Sequence, residues 1–276
     1  MATRTIESHS SRLITILINP FMSCSARLPV FILLAGTFFP EHAGLALFGI
    51  YLFGGVMAIL TARVLRRFMF GADETPFVME LPPYRIPTIN ATLRHMWERS
   101  EQYLKKIGGL ILVAAIVIWF LSYYPRTSYA VADADVVENI SVAQSENSYL
   151  GRIGKFCEPV MEPLGLDWRA SVAMLSGAAA KEIVVSTLGV LYSVEDAESD
   201  GASLSQHLLA SGNYSRAAAL AMMIFVLLYF PCIATVSAIA QETGGWKWAL
   251  FSVVYNTVLA WVVAFAAFHI GGLLGM

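Results

Sequence analysis

Three stretches of this chain, residues 43–62, 217–240 and 248–268, contain no Asp, Glu, Lys or Arg. Each reaches the roughly 20 apolar residues that cross a hydrocarbon core. In lipid the backbone must satisfy its own polar groups, so such stretches fold as helices. Residues 107–124 are equally uncharged and nearly as long. The rest of the composition agrees: 14% of residues are charged, against about 25% in soluble domains, and the mean hydropathy is +0.63. The predicted fold class is all-α, a polytopic transmembrane helical bundle with the lipid bilayer as partner. The net charge of −2 says nothing about nucleic acid, and with no basic footprint in the sequence no nucleic-acid partner is expected. The polar opening, Met1-Ala-Thr-Arg-Thr-Ile-Glu-Ser-His-Ser, has no apolar run directly after its charge, so it is not a signal peptide and reads as a chain entered midway.

Not every apolar segment is a simple span. Residues 12–40 are interrupted by Pro20 and Pro29, with Arg27 between them. Proline removes an amide donor and clashes with the preceding turn, so Asn19–Pro29 is expected to be unwound and to line a cavity, a kinked interfacial loop being the blander alternative. Residues 43–65 form a plain span ending at Arg63, Arg66 and Arg67. A loop held extended by Pro76, Pro82, Pro83 and Pro87 follows, then an amphipathic surface helix over 90–106. Eight of the 18 Lys and Arg residues fall between Arg63 and Lys106, which places this loop in the cytoplasm. The helix at 107–124 then crosses outward to an aromatic stop at Tyr123-Tyr124-Pro125, and 126–150 read as an external loop. Residues 151–167 pack at the interface or re-enter, and 169–192 form a second broken element. The side of the C-terminus depends on whether 169–192 crosses fully. The domains expected on these boundaries are 1–67, 68–106 and 107–276.

Lys181-Glu182 carries the chemistry. The pair sits inside an apolar, small-residue run, Leu175-Ser-Gly-Ala-Ala-Ala-Lys-Glu-Ile-Val-Val-Ser-Thr-Leu188. Ionisable groups at membrane depth cost several kcal/mol and mark functional sites. Two proline breaks echo each other: Pro20-x-x-x-Cys24, with Ser23 and Ser25, and Pro231-Cys232, with Thr235. Paired interruptions in apolar segments point to a transport site. Prolines free carbonyls, and the two thiols with Glu182 complete a sulfur, oxygen and carboxylate set. That set suits a borderline divalent metal, with Fe(II), Mn(II) and Zn(II) all fitting. Cys24, Glu182 and Cys232 are thus the candidate metal residues, and Pro20, Ser23, Ser25, Lys181, Pro231 and Thr235 the supporting or gating ones. Lys181 is expected to serve as counter-charge when the site is empty. The blander reading is that Lys181 snorkels and Glu182 accepts an interhelical hydrogen bond, while each Cys is a small buried hydrophobe. Three cysteines at wide spacing are no disulfide framework. The five His residues are scattered, and no G-x-x-x-x-G-K-[ST] or strand-flanked G-x-G-x-x-G occurs.

Five segments carry a resemblance to a known family: Asn19-Pro-Phe-Met-Ser-Cys-Ser-Ala-Arg-Leu-Pro29, Glu80-Leu-Pro-Pro-Tyr-Arg-Ile-Pro-Thr88, Leu150-Gly-Arg-Ile-Gly154, Ala180-Lys-Glu-Ile-Val-Val185 and Phe230-Pro-Cys-Ile-Ala-Thr235. In order and over nearly the whole chain they resemble the membrane part of the bacterial ferrous-iron transporter FeoB. The resemblance implies a Gate-type inverted repeat in the bacterial inner membrane, with Fe2+ as transported substrate and no permanently bound cofactor. In it, Cys24 and Cys232 match the Gate-motif cysteines and Glu182 the Lys-Glu motif acid. The family's GTPase domain and the opening of its first Gate repeat have no counterpart here. The expectation is therefore a non-enzymatic C-terminal portion, partnered by the missing GTPase portion or a small accessory Feo protein, and compatible with a homo-oligomer. Two other classes stay open: a Gate-fold nucleoside or solute carrier, and a structural fragment of a split transporter that does not transport.

Overall fold

The computed structural model describes residues 2–6, 8–69, 88–125, 144–192, 201–210 and 214–275. The proline-rich loop and the Glu80–Thr88 motif fall mostly outside these residues, as does most of the external loop. Among the described residues the secondary structure is helical throughout: α1 (His9–Ile18), α2 (Leu28–Phe38), α3 (Ala43–Phe68), α4 (Ile89–Tyr123), α5 (Tyr149–Met161), α6 (Trp168–Ser176), α7 (Ile183–Leu191), α8 (Gly201–Ala210), α9 (Arg216–Leu228), α10 (Ile233–Thr243) and α11 (Trp246–Leu273). Four stretches are long and apolar enough to cross a membrane: His9–Phe38, Pro40–Phe68, Arg216–Thr243 and Trp246–Leu273.

Two of those four are broken. The chain leaves α1 through a 3-10 turn at Asn19–Phe21, runs extended at Met22 and Cys24, and enters α2 through a second 3-10 turn at Ser25–Arg27. Pro20 and Pro29 each occupy the first turn of the element they open, where a missing amide costs nothing. Likewise α9 stops at Tyr229, and Pro231-Cys232 lead into α10. A third break, Gly177–Glu182, separates α6 from α7.

The core sits around α9. Ala217–Ala219 and Ala221–Leu228 are all buried, so this helix is apolar on every side. It packs most extensively on α11 and also against α2 and α3. On α11, Leu250, Val254, Val258 and Val262 are exposed at four-residue spacing and form a row that faces outward. Phe48, Leu52, Val56 and Leu60 do the same on α3. In a bilayer these rows meet lipid.

The expected surface helix at 90–106 and the crossing helix at 107–124 are one element: α4 runs unbroken from Ile89 to Tyr123. Glu98–Lys106 is rich in straight-chain helix formers, and Gly108-Gly109 has open space around it, so nothing stops the helix there. The apolar side expected to lie on a surface, Leu93, Met96 and Trp97, is exposed. The expected stop at Tyr123 is where the helix ends.

Short polar residues start the helices that flank the core. Ser148, Asp167 and Ser215 accept from the amides of Gly151, Ala170 and Ala218. Asp167 also accepts from the Tyr214 hydroxyl, which ties the start of α6 to the chain entering α9. Burial, then the neighbouring Asp167 carboxylate, push the Tyr214 phenol above its ordinary value. The folded chain therefore keeps a proton that the unfolded chain loses near pH 10. Tyr214's contribution to stability is whole below about pH 10 and is lost as the pH rises beyond it. Tyr214→Phe is expected to cost about 1 kcal/mol near neutral pH and to make the alkaline fall in stability shallower. Melting curves of both proteins at about pH 8 and pH 11 check this; parallel loss in both would assign the alkaline sensitivity elsewhere.

Candidate metal-permeation cavity

All three breaks open on one cavity of about 290 Å3, lined by Asn19, Pro20, Met22, Cys24, Ala26, Arg27, Ile111, Ala179, Ala180, Lys181, Glu182, Pro231, Cys232, Ala234 and Thr235. Cys24, Glu182 and Cys232, up to 208 positions apart in sequence (232 minus 24), thus share one space. That space accommodates an ion with part of its water shell. Among the described residues no three His, Cys, Asp or Glu side chains are gathered closely enough to hold an ion as a ready-made set.

Each side chain is placed by its break. The extended backbone at 22–24 sends alternate side chains to opposite sides. Met22 and Cys24 line the cavity, while the Ser23 hydroxyl is buried without a partner. Ser25 is exposed and is not among the lining residues, so of the supporting serines neither reaches the cavity. Cys24 is exposed and Cys232 half-buried, so neither thiol is enclosed in the core of the chain itself. The Cys232 sulfur lies 3.2 Å from the Thr235 hydroxyl, one turn on. Pro20, Pro231 and Thr235 line the cavity as expected.

Lys181 and Glu182 part company. Glu182 is exposed at the position before α7, with its side chain capping nothing. Lys181 is 4% exposed and does not snorkel. Its ammonium donates to Phe230 O at 3.1 Å and stands 3.6 Å from the centroid of the Tyr229 ring. A second stitch joins the same two breaks, the Ile233 amide donating to Ala178 O at 3.0 Å.

The residue that sequence reasoning left out of the site is Arg27. It is 3% exposed, lines the cavity, and donates to Pro20 O at 3.0 Å and to Met22 O at 3.5 Å. The signal that singled out Lys181, a charge within an apolar segment, applied equally to Arg27. Among the described residues, two buried basic side chains and three helix beginnings (α2, α7 and α10) therefore surround the thiols, with one exposed carboxylate, Glu182, on the cavity wall.

The Gate family, described as nucleoside recognition, matches residues 104–246, which is over half of the chain. This chain belongs to the Gate family. A second family, the ferrous iron transport protein B C terminus, matches residues 47–99. Among curated relatives, the "Fe(2+) transport protein A/Fe(2+) transporter FeoB fusion protein" of Porphyromonas gingivalis is 50% identical over 98% of the chain and 36% of its own length. The "Fe(2+) transporter FeoB" of Methanocaldococcus jannaschii is 43% identical over 99% of the chain and 39% of its own length, and that of Campylobacter jejuni 40% over 99% and 44%. No solved structure matches the chain. The chain is thus a multi-pass membrane protein that is similar over nearly its whole length to FeoB transporters, and it spans about two fifths of the length of those relatives.

Proposed function

We propose that this chain is the permeation region of a ferrous-iron transporter, with Fe2+ passing the cavity where the three breaks meet. The observation that supports this reading is that two thiols and one carboxylate line one cavity at unwound backbone inside a helical membrane bundle. Glu182, exposed at the rim, offers the hard anionic oxygen that first meets the partly hydrated ion. Cys24 and Cys232 then replace water with sulfur, releasing thiol protons as they bind. Mn2+ and Zn2+ satisfy the same donor set. The Gate family's description favours a nucleoside as the alternative cargo. The cavity's few side-chain hydroxyls and amides argue against it, because a nucleoside needs a cluster of hydrogen-bonding groups.

In this reading 1–67 and 107–276 hold the breaks, and 68–106 links them. In this reading the energy source is a GTPase portion other than residues 1–276, and an accessory protein of the kind fused to the Porphyromonas relative completes the system. The bilayer houses it, and a homo-oligomer is an open assembly state. No resident cofactor is required.

Uptake of radiolabelled Fe2+ into cells tests the reading, with the chain expressed alone and with a GTPase portion. Uptake that Cys24→Ala and Cys232→Ala abolish is expected. Uptake of a nucleoside, or of nothing in either arrangement, would overturn it. The same reading expects no GTP chemistry from the chain itself. Phosphate binding needs a glycine-rich loop followed by Lys and Ser or Thr, and here Glu182 follows Lys181. Micromolar binding of a labelled GTP analogue to the purified chain would contradict this.

A further inference from the structure

Lys181 and Arg27 do the same thing at two different breaks. Each is buried, each lines the cavity, and each donates to a backbone carbonyl at a proline break: Lys181 to Phe230 O, immediately before Pro231, and Arg27 to Pro20 O. Among the described residues neither forms an ion pair with a carboxylate. The Lys181 ammonium has the surroundings of a bound cation, a carbonyl oxygen on one side and the Tyr229 π-face on another. Unwound carbonyls at membrane depth are cation ligands in transporters generally. Here tethered cations occupy them.

We propose that Phe230 O and Pro20 O are the hard-oxygen positions of the cavity, and that Lys181 and Arg27 are built-in occupants which an arriving divalent metal must displace. The inference rests on the permeation reading above. Two physical consequences follow. An empty cavity is not left with orphaned carbonyls, so the breaks survive without metal. A metal binds only as strongly as its surplus over the tethered cation allows, which keeps a site of two thiols and a carboxylate from becoming a trap. Lys181 and Arg27 are positioning residues here. They act on the metal through the carbonyls they hold.

The test is Co2+ titration of the purified full chain in lipid nanodiscs, read by the thiolate-to-cobalt charge-transfer absorption. Lys181→Met removes the occupant while keeping the side chain's length and apolar stem. If Phe230 O is free of its ammonium roughly a tenth of the time, Lys181→Met tightens Co2+ binding about tenfold. Lys181→Arg, which keeps a cation on the carbonyl, returns the affinity to within about twofold of the parent. Arg27→Met at the other break is expected to tighten binding as well. A purely structural role predicts the opposite, since a loosened cavity binds more weakly. Equal or weaker Co2+ binding by both Met variants overturns the proposal.

Should neither Met variant insert, the parent chain carries the test. Saturating Co2+ must then raise acetylation of Lys181 by acetic anhydride, read by mass spectrometry, and unchanged labelling overturns the proposal. An absence of any cobalt–thiolate band in the parent chain is a different result: it removes the permeation reading itself.

Discussion

Glu182→Gln is expected to remove most metal uptake while leaving the fold intact, and Lys181→Gln to lower stability while weakening uptake less. Glu182 is exposed, caps nothing with its side chain, and lines the cavity. An exposed group without partners contributes within about 0.5 kcal/mol to stability. Its carboxylate, the one anionic oxygen lining the cavity among the described residues, is worth about 1.5–3 kcal/mol to a bound cation, which is roughly a ten- to hundredfold loss in transport. Lys181 is the opposite case. Gln in its place forfeits the bond to Phe230 O and the contact with the Tyr229 ring inside the core, at about 1–3 kcal/mol of stability. It adds no repulsion toward metal and removes one cation. Uptake normalised to the amount of inserted protein, with melting curves in parallel, separates the two effects. Equal uptake by the two variants would make Glu182 structural.

Gly177→Val is expected to damage both the fold and the cavity, although Gly177 does not line it. A Cβ built on Gly177 would stand 2.5 Å from the Tyr229 hydroxyl and 2.6 Å from Val184 Cγ2, with Met174 O at 3.3 Å. Tyr229 cannot withdraw. It is fully buried, stacked on Phe225 with centroids 5.5 Å apart and edge-on to Phe230 at 4.8 Å. Overpacking of this kind costs about 1–3 kcal/mol. Because Tyr229 carries the Lys181 ammonium and precedes the Phe230 carbonyl, the displacement reaches the cavity. Uptake should fall even in the fraction that folds. Gly109→Ala is the control. Gly109 lies within α4, and a methyl group added there would meet nothing within 4 Å, so Ala should stabilise the helix by up to about 1 kcal/mol. Parent-like melting and uptake by Gly177→Val would show that α6 and α9 can separate without affecting the site.

The all-helical class and the plain spans were legible in the sequence because lipid allows few alternatives to an uncharged apolar run. The breaks were legible for a related reason. Proline lacks an amide hydrogen wherever it sits, so Pro20, Pro29 and Pro231 mark interruptions before any neighbour is known. The helix starts at Ser148, Asp167 and Ser215 went unread, although each is set by a short polar side chain that bonds its own backbone three residues on. The continuity of α4 was missed because a change of hydrophobic pattern at residue 107 looks like a boundary, whereas backbone hydrogen bonding takes no account of which side chains are apolar.

What the sequence determined, then, is everything that depends on one segment's own chemistry: which stretches enter the bilayer, where they fail to stay helical, and which residue types stand at the failures. Tertiary structure alone decided which of those residues share a space. Cys24, Glu182 and Cys232 meet because α2, α7 and α10 begin at one cavity, and no local pattern encodes that. It also decided the division of labour in the pair that drew attention first. Adjacent residues point about 100° apart on a helical turn. Only packing against Tyr229 and Phe230 determined that Lys181 turns inward and Glu182 is left on the cavity wall. Arg27 joined the site for the same reason, held there by the carbonyls that the Pro20 break exposes.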